Sequence, residues 1–334
     1  MRNSSDSFVD NKTYKSYWKK ILLLCITSII FTALLIFYNN PISANSPSFY
    51  PIIRRRLMVI IVICIGSISH SLSTIAFQSL TNNRIITPSL LGFESLYSVI
   101  QTATIYFFGI TTLINFNGNF AFITQLMLMM LFSLLIYSWL LFSKDYDLQF
   151  LLLIGIILGI GLRSISSFMS RLLSPNEYDI LQARLFASVN NSKSESIPIA
   201  IILLIISASL LFFNSKKLNV FSLGKDITIN LGLNYKRTSL FILFLISMLI
   251  SISTALIGPI TFLGFLSALF TYHFANTYDH KYLFIMSIFI SYSILAFSYF
   301  IMNHVFYAEG VVTIIIELIG GISFLFLVIR KGKL

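Results

Sequence analysis

Residues 214–237 read NSKKLNVFSLGKDITINLGLNYKR. They sit between IPIAIILLIISASLLFF (197–213) and TSLFILFLISMLISISTALI (238–257), two runs without a single charge. A helix needs about 20 mostly apolar residues to cross a bilayer, and both runs approach that length. The segment between them is basic through Lys216, Lys217, Lys225, Lys236 and Arg237, yet it keeps Leu218, Phe221, Ile227 and Ile229. It is too long for a tight turn, too short for a domain and too apolar for a solvated tail. The chain therefore reads as a polytopic helical membrane protein that presents this island on one face.

Composition supports that reading. Apolar residues make up 57% of the 334 and charged residues 10%, against about 25% charged in soluble domains. So few charges cannot cover a soluble fold of this length. The apolar runs are continuous rather than alternating, which argues against a β-barrel. The net charge of +11 belongs mainly to loops anchored on the cytoplasmic side and does not point to nucleic acid. Cys25 and Cys64 lie in apolar runs, where buried small residues are expected rather than a disulfide or a metal site. No His/Cys/Asp cluster has metal-ligand spacing, and there is no G-x-x-x-x-G-K-[ST] phosphate loop.

About ten spans are expected, at 21–38, 57–79, 90–110, 120–142, 148–170, 197–213, 238–257, 261–275, 283–302 and 311–329. The first apolar run has no small-residue cleavage site at its end, so it reads as a retained helix. With the N-terminus inside, Arg54, Arg55, Arg56, Arg163, Arg171, Arg184 and Lys193 fall outside or near an outer helix end, and the remaining Lys and Arg fall inside. The reverse orientation would invert the positive-inside bias. Both termini are thus cytoplasmic. The chain divides into a tail at 1–20 and one transmembrane domain at 21–334, with the island at 214–237 cytoplasmic and an external connection at 171–196. An amphipathic piece around Ile180–Phe186 suggests a short surface helix there.

Three constellations stand out. In the island, Ser222-Leu223-Gly224 and Asn230-Leu231-Gly232-Leu233 give two Leu-Gly steps, each suited to ending a short helix in a left-handed cap. Ser222 and Asp226 suit capping of the second piece. Spacing alone leaves two readings open: surface helices resting on headgroups, or an element offered to a partner. The second constellation is Gly258-Pro259-Ile260-Thr261-Phe262-Leu263-Gly264, a break between apolar runs. Pro259 suits the first turn of the next helix and Gly264 a close helix approach; from physics alone it is a simple turn. The third is Gln78–Gly92, QSLTNNRIITPSLLG, a polar connection ending in the helix-start signal Thr87-Pro88.

In order and spacing these segments resemble the permease subunits of bacterial iron-siderophore and cobalamin ABC importers, the type II importer family. Gln78, Asn83, Arg84, Pro88 and Gly92 fall on the family's Q…RNPLA.P..LG stretch. Leu218, Phe221, Ser222, Leu223, Gly224, Leu231 and Gly232 fall on its L..LSLG…A..LG segment, and Gly258, Pro259 and Gly264 on GPI.F.G. Glu309-Gly310-Val311-Val312-Thr313, followed by Gly320-Gly321, resembles the closing ELP.G.VTA..G.P.F. The match runs from about Arg54 to the C-terminus and is closest to a subgroup handling ferric catecholate, petrobactin-like siderophores. Three departures are visible: Ile53-Arg54-Arg55-Arg56-Leu57 where the family has LRLPR, Ala268-Leu269 and Tyr272 where it has PH..R, and no proline after Glu309.

The resemblance implies a type II importer permease fold in the bacterial cytoplasmic membrane and a transport subunit rather than an enzyme. It implies a second permease subunit, with the subgroup favouring a homologous heterodimer. Two copies of a cytoplasmic ATPase would carry ATP and Mg, and an extracytoplasmic lipoprotein would deliver the ferric siderophore. Residues 214–237 would dock in a groove of the ATPase, filled by Leu218, Val220, Phe221, Leu223 and Leu231. Arg54, Arg55 and Arg56 would receive acidic residues of the binding protein, the alternative being headgroup snorkelling. Cobalamin or haem import by the same family, or ion-coupled secondary transport, are the competing functions; the latter usually shows internal repeats and mid-membrane ion sites, neither of which is clear. Glu94, His70, Arg163 and Glu317 fall within or near spans, where ionisable residues point to function by default. His70, among Ser67, Ser69, Ser71 and Ser73, reads as packed and hydrogen-bonded.

Overall fold

The computed structural model describes residues 7–39, 49–115, 118–142, 148–189, 194–306 and 312–331. Within them the chain forms α1 (Asn11–Phe37), α2 (Phe49–Leu80), α3 (Phe93–Asn115), α4 (Gly118–Phe142), α5 (Leu148–Ser170), α6 (Pro175–Leu185), α7 (Ile197–Phe213), α8 (Ser215–Phe221), α9 (Lys225–Asn230), α10 (Tyr235–Ile257), α11 (Leu263–Ala275), α12 (His280–His304) and α13 (Val312–Lys331). Each of the ten expected spans is helical. Among the described residues, six helices are individually long and apolar enough to cross a membrane. α7 and α8 pass that test only as a pair bent by 57°, and α11 and the front of α13 are shorter apolar helices. α3 is interrupted at Gly109, whose φ of 73° and ψ of 173° are not helical.

α2 and α10 form the centre of the bundle. Their apolar windows are 67% and 78% buried, against 17% for α1 at the rim. α2 packs on α10, α11, α12 and α7. Ser67, Ser69, Ser71 and Ser73 are all buried around α2, as are Ser251 and Ser253 on α10; small side chains let helix axes approach closely where lipid offers no hydrophobic drive. Gly264 shows the principle most sharply. A Cβ added there would overlap the Thr74 hydroxyl and stand 3.2 Å from Thr74 Cβ and 3.3 Å from the His70 carbonyl, so α11 crosses α2 where only glycine fits.

Two helices start well ahead of their apolar runs. α1 begins at Asn11 rather than near residue 21, because Asp10 caps it: Asp10 Oδ1 accepts from the Thr13 amide at 2.7 Å and Thr13 Oγ1 accepts from the Asp10 amide at 3.2 Å. Tyr17, inside the expected tail, is buried and donates its hydroxyl to the Tyr282 carbonyl at 2.9 Å. α2 begins at Phe49 rather than 57, so Arg54–Arg56 are helical and point in different directions at about 100° per residue. The 171–196 connection does contain a short helix, α6. Ser174 donates both its amide and its hydroxyl to Glu177 at 2.9 Å, with Pro175 in the first turn. Those bonds hold the Glu177 carboxyl below its ordinary range. Lys144, Lys193, the first six residues and Glu309–Val311 of the closing motif lie outside the described residues.

Candidate functional site

One end of the bundle gathers the segments that the charge bias places in the cytoplasm. The island folds as α8 and α9, bent away from α7. α8 is seated in the bundle: Leu218 is 0% and Phe221 1% exposed, and Phe221 stacks on Tyr235 with ring centroids 5.1 Å apart. This corrects the assignment of these two residues as groove-filling contacts. Their side chains are spent on this chain's own core and fasten the element to it. Val220 is also partly covered. The outward apolar surface is instead Leu223 (54% exposed), Ile227, Ile229 and Leu231 (59%).

The Leu-Gly steps differ from one another. Gly232 ends α9 as expected: it has φ +83°, its amide bonds to the Ile229 carbonyl at 2.9 Å, and the Leu233 amide reaches the Thr228 carbonyl at 3.3 Å, the paired bonds of a Schellman cap. Gly224 does not end α8 in that way. With φ +103° and ψ 166° it is the N-cap residue of α9, an extended left-side conformation open essentially to glycine. Ser222 does not cap α9 either, because its hydroxyl turns back to the Asn219 carbonyl at 2.8 Å. Asp226 lies in the first turn of α9, where a negative charge suits the helix dipole.

The Gln78–Gly92 connection packs beside this element. Gln78 donates Nε2 to the Arg84 carbonyl at 2.7 Å, and Asn83 Oδ1 accepts from the Ile85 amide at 2.9 Å. Arg84 lies over the Tyr272 ring at 4.8 Å, and Asn82 is the nearest side chain to Gly224. Pro88 precedes a single 3-10 turn at Ser89–Leu91 rather than the helix itself, and Gly92, at φ +95°, closes that turn before α3. A Cβ on Gly92 would come 2.7 Å from Gly159 of α5, so this step sets the α3–α5 contact. Asp279 caps α12 on the same face. It accepts from the Lys281 amide at 3.1 Å, Asn219 Nδ2 at 3.1 Å and Ser7 Oγ at 2.9 Å. Burial tends to raise the Asp279 carboxyl, but these hydrogen bonds outweigh it and hold it below its ordinary value.

The opposite end carries the arginine cluster, which the structure splits. Arg56 donates to the carbonyls of Leu35 (3.3 Å), Ile36 (2.7 Å), Tyr38 (2.9 Å) and Asn39 (3.1 Å). It therefore caps the C-terminal end of α1, whose last carbonyls lack helical partners, so its donors are engaged within this chain, unlike a residue held out for docking. Arg54 and Arg55 remain exposed and line a cleft of ≈ 550 Å³ with Tyr50, Met58, Val189 and Ser194. The Gly258 break also faces this end. Gly258, at φ +100°, ends α10; a Cβ there would be 3.0 Å from the Ala187 Cα, and the Ser188 amide bonds to the Ile257 carbonyl at 2.9 Å. The break opens on a cavity of ≈ 390 Å³ lined by Tyr97, Gln101, Gln125, Arg184 and Gly258. Pro259 is not the first residue of α11; the chain stays non-helical until Phe262, which takes a left-handed φ of 60° to enter the helix.

Of the intramembrane ionisable residues, Glu94 is buried and accepts from Ser89 Oγ at 2.6 Å. Glu317 accepts from Thr261 of the break, and Arg163 is exposed on α5. His70 is fully buried, but neither ring nitrogen has a hydrogen-bond partner among the described residues, so it is packed without being bonded. Both cysteines are free. Sequence reasoning passed over Asn219, Asp279 and His280. Their only signal was position, since Asn219 lies among residues read for their apolar spacing.

The sequence profile of the FecCD transport family matches residues 20–330. The chain is 51% identical over 331 residues to the petrobactin import system permease protein FatC of Bacillus anthracis, covering 99% of this chain and 94% of that protein. It is 37% identical over 314 residues to the petrobactin import system permease protein YclO of Bacillus subtilis, covering 94% and 98%. A metal-chelate type ABC transporter solved in an inward-facing conformation superposes with a TM-score of 0.79 at 21% identity, covering 94% of this chain and 99% of the other, which establishes the likeness of fold.

Proposed function

The chain belongs to the FecCD transport family, and on that premise we propose that it is the permease subunit of an ABC importer that carries a ferric siderophore of the petrobactin type across the bacterial cytoplasmic membrane. The observation that carries this reading is 51% identity along nearly the whole chain to a petrobactin import permease. ATP and Mg belong to a partner ATPase, which docks on the outward face of Leu223, Ile227 and Leu231. The basic residues Lys216, Lys217, Lys225 and Lys236 rim that face, where charge serves encounter and register more than affinity. A second, homologous permease completes the membrane part. An external binding protein meets Arg54 and Arg55, the two arginines left exposed beside the outer cleft. The break at Gly258–Phe262 is tied to α13 through Thr261 and Glu317, so a rearrangement of the outer end of α10 would be felt by α13.

The tests are growth under iron limitation of a strain deleted for this chain, supplied with a panel of purified siderophores or haem, and uptake of labelled cobalamin by the same strain. Loss of growth on ferric petrobactin alone, restored by the gene in trans, is the expected result. Unchanged uptake of every ferric siderophore, with loss confined to haem or cobalamin, would move the substrate elsewhere within the family.

A further inference from the structure

We propose that Asn219 and His280 are positioning residues through which movement of the ATPase-facing element reaches the membrane helices; this rests on the permease reading above. Asn219 is on α8, between the buried Leu218 and Phe221. Its Oδ1 accepts from the His280 amide at 2.9 Å and lies 2.6 Å from His280 Nδ1, while its Nδ2 donates to Asp279 Oδ1 at 3.1 Å. An amide oxygen only accepts, so Nδ1 carries the imidazole proton. Nε2 of the neutral ring is then an acceptor, and it meets the hydroxyl of Ser79 at the end of α2. The Ser79 hydroxyl has one proton, which it gives either to the Ile75 carbonyl 2.9 Å away in its own helix or to Nε2, and the link to α2 is made when it points to Nε2. The other Asp279 oxygen accepts from Ser7, whose carbonyl accepts from Thr277 at 2.6 Å. One partly buried polar chain thus joins α8, the start of α12, the end of α2 and the segment before α1.

Covalent continuity offers a poorer route for the same motion. The island leaves α8 through Gly224 and α9 through Gly232, two positive-φ glycines that interrupt the helical rods. The packed route is short. The exposed residues of α9 act on Thr228, which is fully buried and bonds back to the Gly224 carbonyl at 2.6 Å and the Val220 carbonyl at 3.2 Å. From Val220 the next polar contact inward is Asn219 to His280, and His280 is 2% exposed with its ring edge against Phe284 of α12. A push on α9 is therefore delivered to α12 and α2 at once. α2 is a central helix and in turn meets α11 at Gly264. Contiguous packed and hydrogen-bonded groups are what carry such coupling.

The experiment uses the whole complex, with both permeases, the ATPase and the binding protein loaded with ferric petrobactin, in proteoliposomes where uptake and ATP hydrolysis are read together. His280→Leu and Asn219→Leu are expected to lower ferric petrobactin taken up per ATP by about fivefold to tenfold while hydrolysis falls far less. His280→Asn, whose amide N–H replaces Nδ1–H toward Asn219 but leaves the Ser79 contact unmade, is expected to restore part of the ratio. A merely structural role would lower complex yield and both rates together; an unchanged ratio in the two leucine variants overturns the proposal. If they fail to assemble, Ser79→Ala is read the same way, and an unchanged ratio there overturns it equally. Wild-type vesicles that hydrolyse ATP but take up no ferric petrobactin would instead sink the permease reading, a result distinct from either.

Discussion

Leu231→Asp separates the face that docks from the face that folds. Leu231 is 59% exposed and Leu223 54% exposed at the tips of the two turns of the island. Each leaves on the order of 100 Å² of apolar surface uncovered, so burial under a partner contributes about 2.5 kcal/mol apiece at ~25 cal/mol per Å². Aspartate at 231 forfeits that contribution and adds a carboxylate to be desolvated. The ATPase should then bind at least about a hundredfold more weakly, since each 1.4 kcal/mol is roughly a factor of ten. The permease itself should be unaffected to within about 0.5 kcal/mol, as expected of an exposed site. Leu218→Asp is the counterpart. Leu218 is fully buried, and an unpaired carboxylate there costs several kcal/mol, on the order of an entire domain's stability margin. The assay is titration of the purified permease complex with ATPase in detergent, with thermal unfolding of the permease alone measured in parallel. An unchanged Kd for Leu231→Asp, or a Leu218→Asp variant with wild-type Tm, would refute the division of the island into an inner and an outer face.

Three further outcomes are expected. Gly264→Ala should cost about 1–3 kcal/mol by overpacking the α2–α11 crossing, read as a lower Tm; Thr74→Ala should recover part of the loss, because it removes the hydroxyl but leaves the His70 carbonyl 3.3 Å from the new Cβ. Arg56→Gln should destabilise the complex by releasing carbonyls at the end of α1, whereas Arg54→Glu with Arg55→Glu should leave Tm unchanged and weaken binding-protein association, most at low salt, as surface plasmon resonance would report. The Asp279 carboxyl is held below its ordinary value of 3.8, so its contribution is complete above that pH and disappears as pH falls through the lower folded-state value; the Tm difference between wild type and Asp279→Asn should shrink on acidification below pH 3.8.

Apolar run length, the distribution of Lys and Arg, and the order of four motifs were enough to place ten helical spans, the island, the break and the family. Those properties are local in the chain, and a bilayer makes local hydrophobicity decisive because backbone groups within it must be satisfied inside each helix. The assignment of single side chains to faces was another matter. Leu218 and Leu231 have the same composition and lie on the same island, but one is buried in the bundle while the other faces outward. Arg54, Arg55 and Arg56 are identical in sequence, yet helical rotation and the nearby end of α1 turn one of them inward. Pro259 reads as a helix start, but the close approach of Ala187 to Gly258 and the left-handed Phe262 delay the helix to Leu263. The Asn219–Asp279–His280–Ser79 chain joins residues as much as 201 positions apart, and no local pattern encodes such a contact. Sequence alone determined that this is a multi-spanning helical permease with a basic, semi-apolar island between two of its spans. Which residues fasten that island, and which it offers outward, was decided by tertiary packing, because burial depends on what the rest of the chain places opposite each side chain.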